Sequence, residues 1–537
     1  MPETSAVSVA ILAASCNIIL QVLVRILSSL SNAIIFRFIT KEALGVINVR
    51  LLLLYSTCHC LSREAFRRSC LSRFDKKSLE KKFNLLWMII PVCLICSLLL
   101  RYIWLNVLEE PDPHLVKHYS AGVNIVIISV LIESLAEPLY VFSQSSQFIK
   151  LKVVLEGTML TVRSLSMVLC LSRWPEQAMY CFCFSQALSS VVYTLSFYGY
   201  FGYYLNSSEQ KISPLLISSL RDTLPKFSKY FVEWEDLCLT WSFFKQTLLK
   251  QLLTEGERYL MSFFTLLSFA EQGLYDVVNN LGSLAARFIL LPIEDSAYLL
   301  FTQILTRDRT SQPLENLSMA LTILGRILKL MFLLGLTILM FGYSYSQLLL
   351  YIYGGTKLSS GIGLTLMRWH CFYVLLLAIN GISEGFKFAV MGHSEIDRYN
   401  KSLVCLSVGF LIAGYCLVTV FGSSGFIMAN CLNMLFRIVH SFHFIQGYFQ
   451  VPKYWWSRIV PHSSVIQVLI AITIITSISE MYLCCDSIYK WIWHFLLGAA
   501  CFLAFLSVVW YKENELIRFV YEQWKKKEST ESKPKLN

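Results

Sequence analysis

Apolar residues arrive along this chain in runs of roughly twenty, the length at which a helix crosses ~30 Å of hydrocarbon. The runs predict about fourteen membrane-spanning helices, near 7–36, 43–61, 84–107, 119–141, 151–172, 178–203, 246–269, 274–304, 318–350, 363–390, 402–421, 424–449, 462–485 and 489–511. Arg163 interrupts the fifth run, and Glu255, Glu257 and Arg258 interrupt the seventh. In the first run, Asn17, Gln21, Arg25, Ser28 and Asn32 recur at spacings of four, four, three and four. A helix gathers them on one face about 80° wide. An arginine at mid-membrane costs about 2.5–3.5 kcal/mol even on the lenient insertion scale, so this face is expected to line a polar cavity. Asn430, Asn433, Arg437 and His440 repeat the pattern in the twelfth span. His440 by itself reads as a helix-packing histidine rather than a proton relay.

Composition agrees with the pattern. Of 537 residues, 55% are hydrophobic and only 15% charged, with a mean hydropathy of +0.56, which excludes a soluble globular domain. Met1-Pro2-Glu3-Thr4 lacks the cationic start of a cleaved signal peptide, so the first span is expected to be kept. Arg63, Arg67, Arg68, Arg73, Lys76, Lys77, Lys81 and Lys82 crowd one connection, whereas the next, Glu109-Glu110-Pro111-Asp112-Pro113, is acidic. Alternation continues to the end, with about 28 Lys and Arg on one side against about 6 on the other, which places both termini in the cytoplasm. The net charge of +11 is therefore mostly topology, and no nucleic-acid-binding face is expected. Cysteines such as Cys93/Cys96, Cys181/Cys183 and Cys484/Cys485 are scattered through apolar runs and read as small apolar side chains, with no metal site expected. Asn-x-Ser sequons at Asn206, Asn316 and Asn400 fall in connections assigned to the cytoplasm and should stay unmodified.

The long polar connection at 204–245 divides the spans six and eight. Pro225 is placed to open a helix there, with Phe227, Phe231, Trp234, Cys238 and Trp241 along one face. Such a helix either packs on the bundle as a linker or serves as a gate at the interface. A faint repeat joins Gly45-Val46-Ile47-Asn48 to Asp276-Val277-Val278-Asn279, each a little over twenty residues after an arginine, Arg25 or Arg258. The expected organisation is an N-terminal lobe at 1–203, the linker at 204–245, a C-terminal lobe at 246–449, two additional spans at 450–511 and a basic cytoplasmic tail at 512–537. The fold class is thus all-α, two pseudo-symmetric six-helix lobes plus two C-terminal helices. Transporters are often built from such paired bundles with the substrate site between them, and rocking of the lobes alternates access.

The chemistry resides in the intramembrane charges. Arg287 and Glu294 lie two turns apart around Pro292 and read either as a stabilising pair or as a cation site with its counter-ion. Glu257 and Arg258 carry the same two readings. Glu133 and Glu137, beside Pro138, are placed as counter-ions to arginines from neighbouring helices, while Glu384 and Lys387 are expected to neutralise each other three residues apart. Arg25, Arg258, Arg287 and Arg437 are the candidate cavity arginines, and Arg37, Arg63, Arg67 and Arg68 stand near its mouths. Guanidinium forks suit phosphate or diphosphate oxygens, so an anionic head group is the expected ligand. Asn17, Gln21, Asn32, Glu257, Asn279, Glu294 and Asn433 complete the candidate substrate-binding set. Gly-rich phosphate loops, Gly-x-Ser-x-Gly elbows and His-Glu-x-x-His are absent. No catalysis and no cofactor are expected, and any transport is secondary or equilibrating.

Gly45-Val46-Ile47-Asn48-Val49-Arg50-Leu51 and Leu61-Ser62-Arg63-Glu64-Ala65-Phe66-Arg67-Arg68 resemble the Rft family of endoplasmic-reticulum membrane proteins. So do Leu253-Thr254-Glu255-Gly256-Glu257-Arg258-Tyr259, the block from Tyr275 to Leu284, and Ala286-Arg287-Phe288 through Leu291-Pro292-Ile293-Glu294. The resemblance implies a role in moving dolichyl-diphosphate oligosaccharide with five mannoses to the lumenal leaflet for N-glycosylation. It also implies kinship with the multidrug/oligosaccharidyl-lipid/polysaccharide (MOP) exporters, which include MurJ-type flippases. The implied partners are the dolichyl-diphosphate oligosaccharide, the bilayer and other glycosylation-pathway membrane proteins. Two alternatives stay open: a non-transporting scaffold for lipid-linked oligosaccharide assembly, and an exporter of small organic ions. Lys533 and Lys535 match the Lys-x-Lys-x-x pattern that returns membrane proteins to the endoplasmic reticulum, which works on a cytoplasmic tail.

Overall fold

The computed structural model describes residues 30–71, 79–146, 148–206, 216–226, 232–305, 313–451, 455–484, 487–516 and 518. Asn17, Gln21, Arg25 and Ser28 of the first span, Phe227 and Phe231 of the linker, and Lys533 and Lys535 of the tail lie outside these residues. Every regular element among the described residues is helical. After a helical stretch at 30–38 come α1 (Lys41–Cys70) and α2 (Leu79–Val107). They are followed by α3 (Tyr119–Ser134), α4 (Glu137–Ser145), α5 (Ile149–Arg173) and α6 (Ala178–Asn206). Then come α7 (Trp234–Thr254), α8 (Gly256–Phe263), α9 (Phe269–Ala285) and α10 (Leu291–Ile304). The remainder is α11 (Leu314–Gly354), α12 (Ile362–Val390), α13 (His393–Phe421), α14 (Ser424–Phe449), α15 (Ser463–Leu483) and α16 (Ile488–Lys512).

Among the described residues nine helices are long and apolar enough to cross a membrane, or ten if the bent pair α3 and α4 forms one span. The difference from about fourteen expected spans falls on the first run, described only from residue 30, and on α7 to α10 and α14. These last carry Asn, Gln, Glu, Arg or Lys within their apolar stretches. The seventh run breaks where its charges interrupt it: α7 stops at Thr254 and Glu255 leaves helical geometry; beyond α8, Thr265 adopts a left-handed φ of 46°.

Two compact units divide the chain, Met1–Asp276 and Val277–Asn537. Phe66, Phe83, Phe142, Phe197 and Phe201 form much of the first unit's core. In the second, Phe301, Phe386, Leu324 and Met331 knit α10, α11 and α12 together, and Leu469 and Phe505 attach α15 and α16 to α11. Ile412, Val420, Leu503 and Trp510 point outward, as lipid-facing positions do. Because lipid tails are as apolar as these side chains, helix association in a membrane rests on close packing and polar contacts rather than on hydrophobic burial.

Among the described residues, four π-helical turns punctuate the helices, at Val46–Leu51, Cys60–Glu64, Ile103–Val107 and Ala286–Leu290. Each inserts a residue into the helical register and so re-aims the side chains around it. Three of them contain an arginine: Arg50, Arg63 and Arg287.

The linker packs on the first unit. Pro225 and Lys226 are not helical, because Asn84 grips the Lys226 backbone from both sides, donating to its carbonyl and accepting from its amide, each at 2.8 Å. Trp87 Nε1 donates to the Thr223 carbonyl at 2.6 Å. Amides of Ser218 and Ser219 donate to the Asp222 carboxylate and hold it below the usual range. The helix therefore starts at Trp234 and not at Pro225, and α7 reaches α1 through Thr240 and Ser69 at 2.8 Å. Cys484, at the α15–α16 connection, is in a disulfide, which corrects its reading as a small apolar side chain; the other described cysteines are free thiols.

Gly45 and Asn48 of the first repeat motif pack, inside the first unit, against the segment that leads into the second motif, Phe269 to Asp276. A Cβ on Gly45 would overlap the Phe269 carbonyl, and one on Gly273 would come within 2.6 Å of the Lys41 carbonyl oxygen. One turn further, Asn48 Nδ2 donates to Asp276 Oδ2 at 3.1 Å. Gly45 and Asn48 thus face Gly273 and Asp276, glycine to glycine and polar to polar. Gly45→Val and Gly273→Val are each expected to destabilise the protein by about 1–3 kcal/mol through overpacking, read as a lowered midpoint of thermal unfolding in detergent.

Candidate functional site

On α1, Tyr55, His59, Arg63 and Arg67 recur every four residues and share one face. Opposite them, Glu133 ends α3 and Glu137 begins α4, across a 45° break where Pro138 can donate no backbone hydrogen bond. Glu137 is fully buried. It accepts from Arg63 Nη1 at 2.8 Å and from Arg67 Nε and Nη2 at 2.6 and 2.7 Å. Arg67 also lies over the Tyr140 ring, 3.8 Å from its centre. Glu133 accepts from Tyr55 and Ser190 hydroxyls, each at 2.7 Å, and His59 Nε2 lies 3.0 Å away. Glu133 and Glu137 are the counter-ions that their positions suggest. Arg63 and Arg67, read as mouth arginines, spend their donors on this pair, and Arg68 pairs with Glu64 at 3.3 Å.

A second network joins α1, α8 and the start of α9. Arg258 reaches Glu255 and Asp276, each at 3.0 Å, and Asp276 also holds Asn48. Glu257 takes no part and accepts instead from the Tyr275 hydroxyl at 2.7 Å. In the π turn Val46–Leu51 of α1 stands Arg50. It is 1% exposed, its three guanidinium nitrogens have no hydrogen-bond partner, and it lies 5.2 Å from the Phe269 ring centre. Its neighbours in sequence are all apolar or Asn, so no helical stripe marks it.

The second unit holds a cavity of about 690 Å³ lined by Glu294, Asp295, Tyr298, Tyr373, Asn380, Glu384 and Arg437, among others. At its heart is Glu384, which accepts from Arg437 Nη2, from Tyr399 at 2.5 Å and from Asn380 at 3.0 Å. Arg437 keeps a buried Nε without a partner. The Glu294 carboxylate lies against Gly381, where a Cβ would overlap it. Glu384 therefore turns to α14 rather than to Lys387, correcting the local pairing. Lys387 is fully buried, 3.0 Å from His440 Nδ1 and over the Tyr399 ring. A neighbouring helix offers Glu384 a guanidinium fork, and its own helix offers a lysine that fits equally well against an imidazole and a ring.

The structure thus brings Glu294 and Arg437 into one cavity and gathers Arg258 with Glu255. Asn32, Arg37 and Arg287 are exposed, and Asn279 is half-buried. Asn433 sits apart from Arg437, in a separate groove between α13 and α14. Tyr399, Asn380, Asp276 and Arg50 were missed. Asp276 stood in the quoted repeat, and its spacing from Arg258 was the available signal.

Known proteins resemble this chain over nearly its full length. The Rft protein family profile matches residues 10–523. The chain is 43% identical over 515 residues to the Man(5)GlcNAc(2)-PP-dolichol translocation protein RFT1 of Xenopus tropicalis, covering 94% of this chain and 95% of that protein. Its identity to the Mus musculus protein of the same name is 43% over 522 residues, covering 95% and 96%. Among solved structures, the lipid II flippase MurJ in its inward closed conformation superposes with a TM-score of 0.64 at 11% identity, covering 94% of this chain and 99% of MurJ. That likeness shows the fold, a MurJ-type bundle.

Removing one partner of a buried ion pair leaves an uncompensated charge and costs about 3–5 kcal/mol. Glu137→Gln, which strands Arg63 and Arg67, is expected to destabilise the protein by that order. The Glu137→Leu/Arg67→Met double variant should be less destabilised than the sum of its single variants. Thermal unfolding of the four proteins in one detergent checks the cycle, and strict additivity would refute the pairing.

Proposed function

The chain belongs to the Rft protein family, and from that premise we propose that it carries a dolichyl-diphosphate oligosaccharide across the endoplasmic-reticulum membrane. The substrate is the Man(5)GlcNAc(2)-PP-dolichol in its relatives' names, and both termini of the chain are cytoplasmic. A polyprenyl tail is at home in hydrocarbon. The sugars and the diphosphate are not, and a translocator must replace their water with protein groups.

The observation that carries this reading is the polar cavity of the second unit. Carboxylates at Glu294, Asp295 and Glu384, the Asn380 amide and the Arg437 guanidinium offer both acceptors and donors, as sugar hydroxyls require. Tyr298 and Tyr373 add ring faces against which pyranose C–H surfaces can pack. Three carboxylates and one arginine make this cavity unsuited to a diphosphate alone and well suited to a neutral oligosaccharide. We assign the diphosphate to arginines, with Arg25, Arg37, Arg258, Arg287 and Arg437 as the candidates. With no phosphate-binding loop in the sequence, movement is equilibrating or driven by a coupled ion.

Purified full-length protein in liposomes, assayed for leaflet-specific movement of Man(5)GlcNAc(2)-diphosphate-dolichol, tests the proposal. Losing a hydrogen bond from a charged group removes about 1.5–3 kcal/mol, so Arg437→Ala is expected to slow translocation by roughly 10- to 100-fold. Arg68→Ala, at a partly exposed pair outside the cavity, should leave the rate unchanged. Equal rates for wild type and Arg437→Ala would place the sugar elsewhere, and no movement by the wild-type protein would favour the scaffold reading. Asn206, Asn316 and Asn400 should carry no glycan in the native protein, as mass spectrometry of its peptides would show; a glycan on any of them would overturn the orientation.

A further inference from the structure

The groove between α13 and α14 has a volume of about 920 Å³ and is divided along its length. At one end stand Arg398, Lys401, Ser402, His440 and His443; beyond them the lining is apolar except for Asn433, with Leu406, Phe410, Leu432, Phe436 and Val439 its bulkiest members. The helices are antiparallel, so the polar start of α13 lies beside the polar end of α14. From Ser402 to Ala413 a helix rises about 16 Å at ~1.5 Å per residue, close to half of a ~30 Å hydrocarbon core. Among the side chains that the structure describes, no carboxylate lines the groove. Glu395 on α13 spends its carboxylate on the Gly392 amide at 3.1 Å.

We propose that this groove binds an anionic glycerophospholipid, its phosphate held at Arg398 and Lys401 and its acyl chain laid along the apolar length. Three observations converge on that occupant. Arg398 and Lys401 are both exposed, on stems long enough to reach a head group while their own carbons cover apolar surface. Val408, Ile412 and Val420 on α13 are exposed apolar residues, so the groove opens on a face that meets lipid. At Gly409 an added Cβ would meet nothing within 4 Å, so the glycine leaves space along the groove. A zwitterionic lipid would satisfy the apolar length without the cations; an anionic one satisfies both. The site is separate from the polar cavity and does not depend on the translocation proposed above. His440 nonetheless links the two, since it lines the groove and contacts Lys387, which lies over Tyr399, a partner of Glu384.

Delipidated full-length protein in detergent, titrated with phosphatidylserine or phosphatidylcholine and read by native mass spectrometry, tests the site. Each basic residue near an anionic head group contributes about 1 kcal/mol, so phosphatidylserine is expected to bind roughly tenfold or more tightly than phosphatidylcholine. The Arg398→Gln/Lys401→Gln variant should lose that preference, and Gly409→Leu, whose Cβ meets no neighbour within 4 Å, should weaken binding of both lipids. Unchanged unfolding midpoints of the lipid-free variants establish that the losses are local. Equal affinity for the two lipids, or a preference that survives the double substitution, overturns the proposal. So does dolichyl phosphate displacing phosphatidylserine in preference, which would give the groove to the polyprenyl carrier, or complete displacement by inorganic phosphate, which would reduce it to an ion site.

Discussion

The pairing of Glu137 with Arg63 and Arg67 states the constraint that governs most of this protein's buried charge, Arg50 against the Phe269 ring excepted: charge inside a membrane is met by its opposite within the fold. Desolvating an ion costs several kcal/mol, and two unit charges 4 Å apart recover about 4 kcal/mol at an effective dielectric of 20. The two nearly cancel, so such a pair permits burial more than it adds stability. What it does fix is position. Glu137 meets both arginines next to two irregularities, the π turn at Cys60–Glu64 in α1 and the break before Pro138 that begins α4. Helix irregularities that look like defects in a plot of hydropathy stand where the charges come to bonding distance.

The same logic separates the second unit from a simple hydrophobic bundle. Glu384 takes three donors from three places: Asn380 on its own helix, Tyr399 on α13 and Arg437 on α14. A helix packed in lipid gains little from apolar burial, so these contacts, with close approaches such as Gly381 against Glu294, carry much of the specification of which helix sits beside which. The Gly45 and Gly273 crossing serves the first unit in the same way, where backbone meets backbone and leaves the polar side chains one turn away to pair.

Sequence periodicity was enough to find the helices and most of the charged residues, because an isolated arginine or glutamate in an apolar run is conspicuous. It anticipated that Glu133 and Glu137 would serve neighbouring arginines. It could not choose among partners, which is a matter of which helices touch. Glu384 has a lysine three residues away and an arginine on another helix; only packing decides for the arginine. Arg50 was overlooked for the opposite reason, since it belongs to no stripe and is buried by the π turn that holds it. The break at Glu255 was legible as charge but not as geometry, and the linker helix was placed at Pro225 because a proline can open a helix, when Asn84 instead holds the backbone beside it.

α14 shows why a polar stripe is an incomplete description of a site. Asn433, Arg437 and His440 lie within about 60° of one another on the helix at ~100° per residue, narrow enough to read as one wet face. Yet Arg437 lines the polar cavity while Asn433 and His440 line the outer groove, because the helix is the wall between them and a narrow stripe along its edge can open on either side. The cavity carries three carboxylates and the groove none, so the two compartments select different chemistry from one continuous pattern. The arginine-led stripe predicted a single cationic cavity for an anionic ligand. On the two proposals made above, its division gives a neutral, hydroxyl-rich ligand one side of α14 and an anionic amphiphile the other, with Glu384 balancing Arg437 in the wall between them.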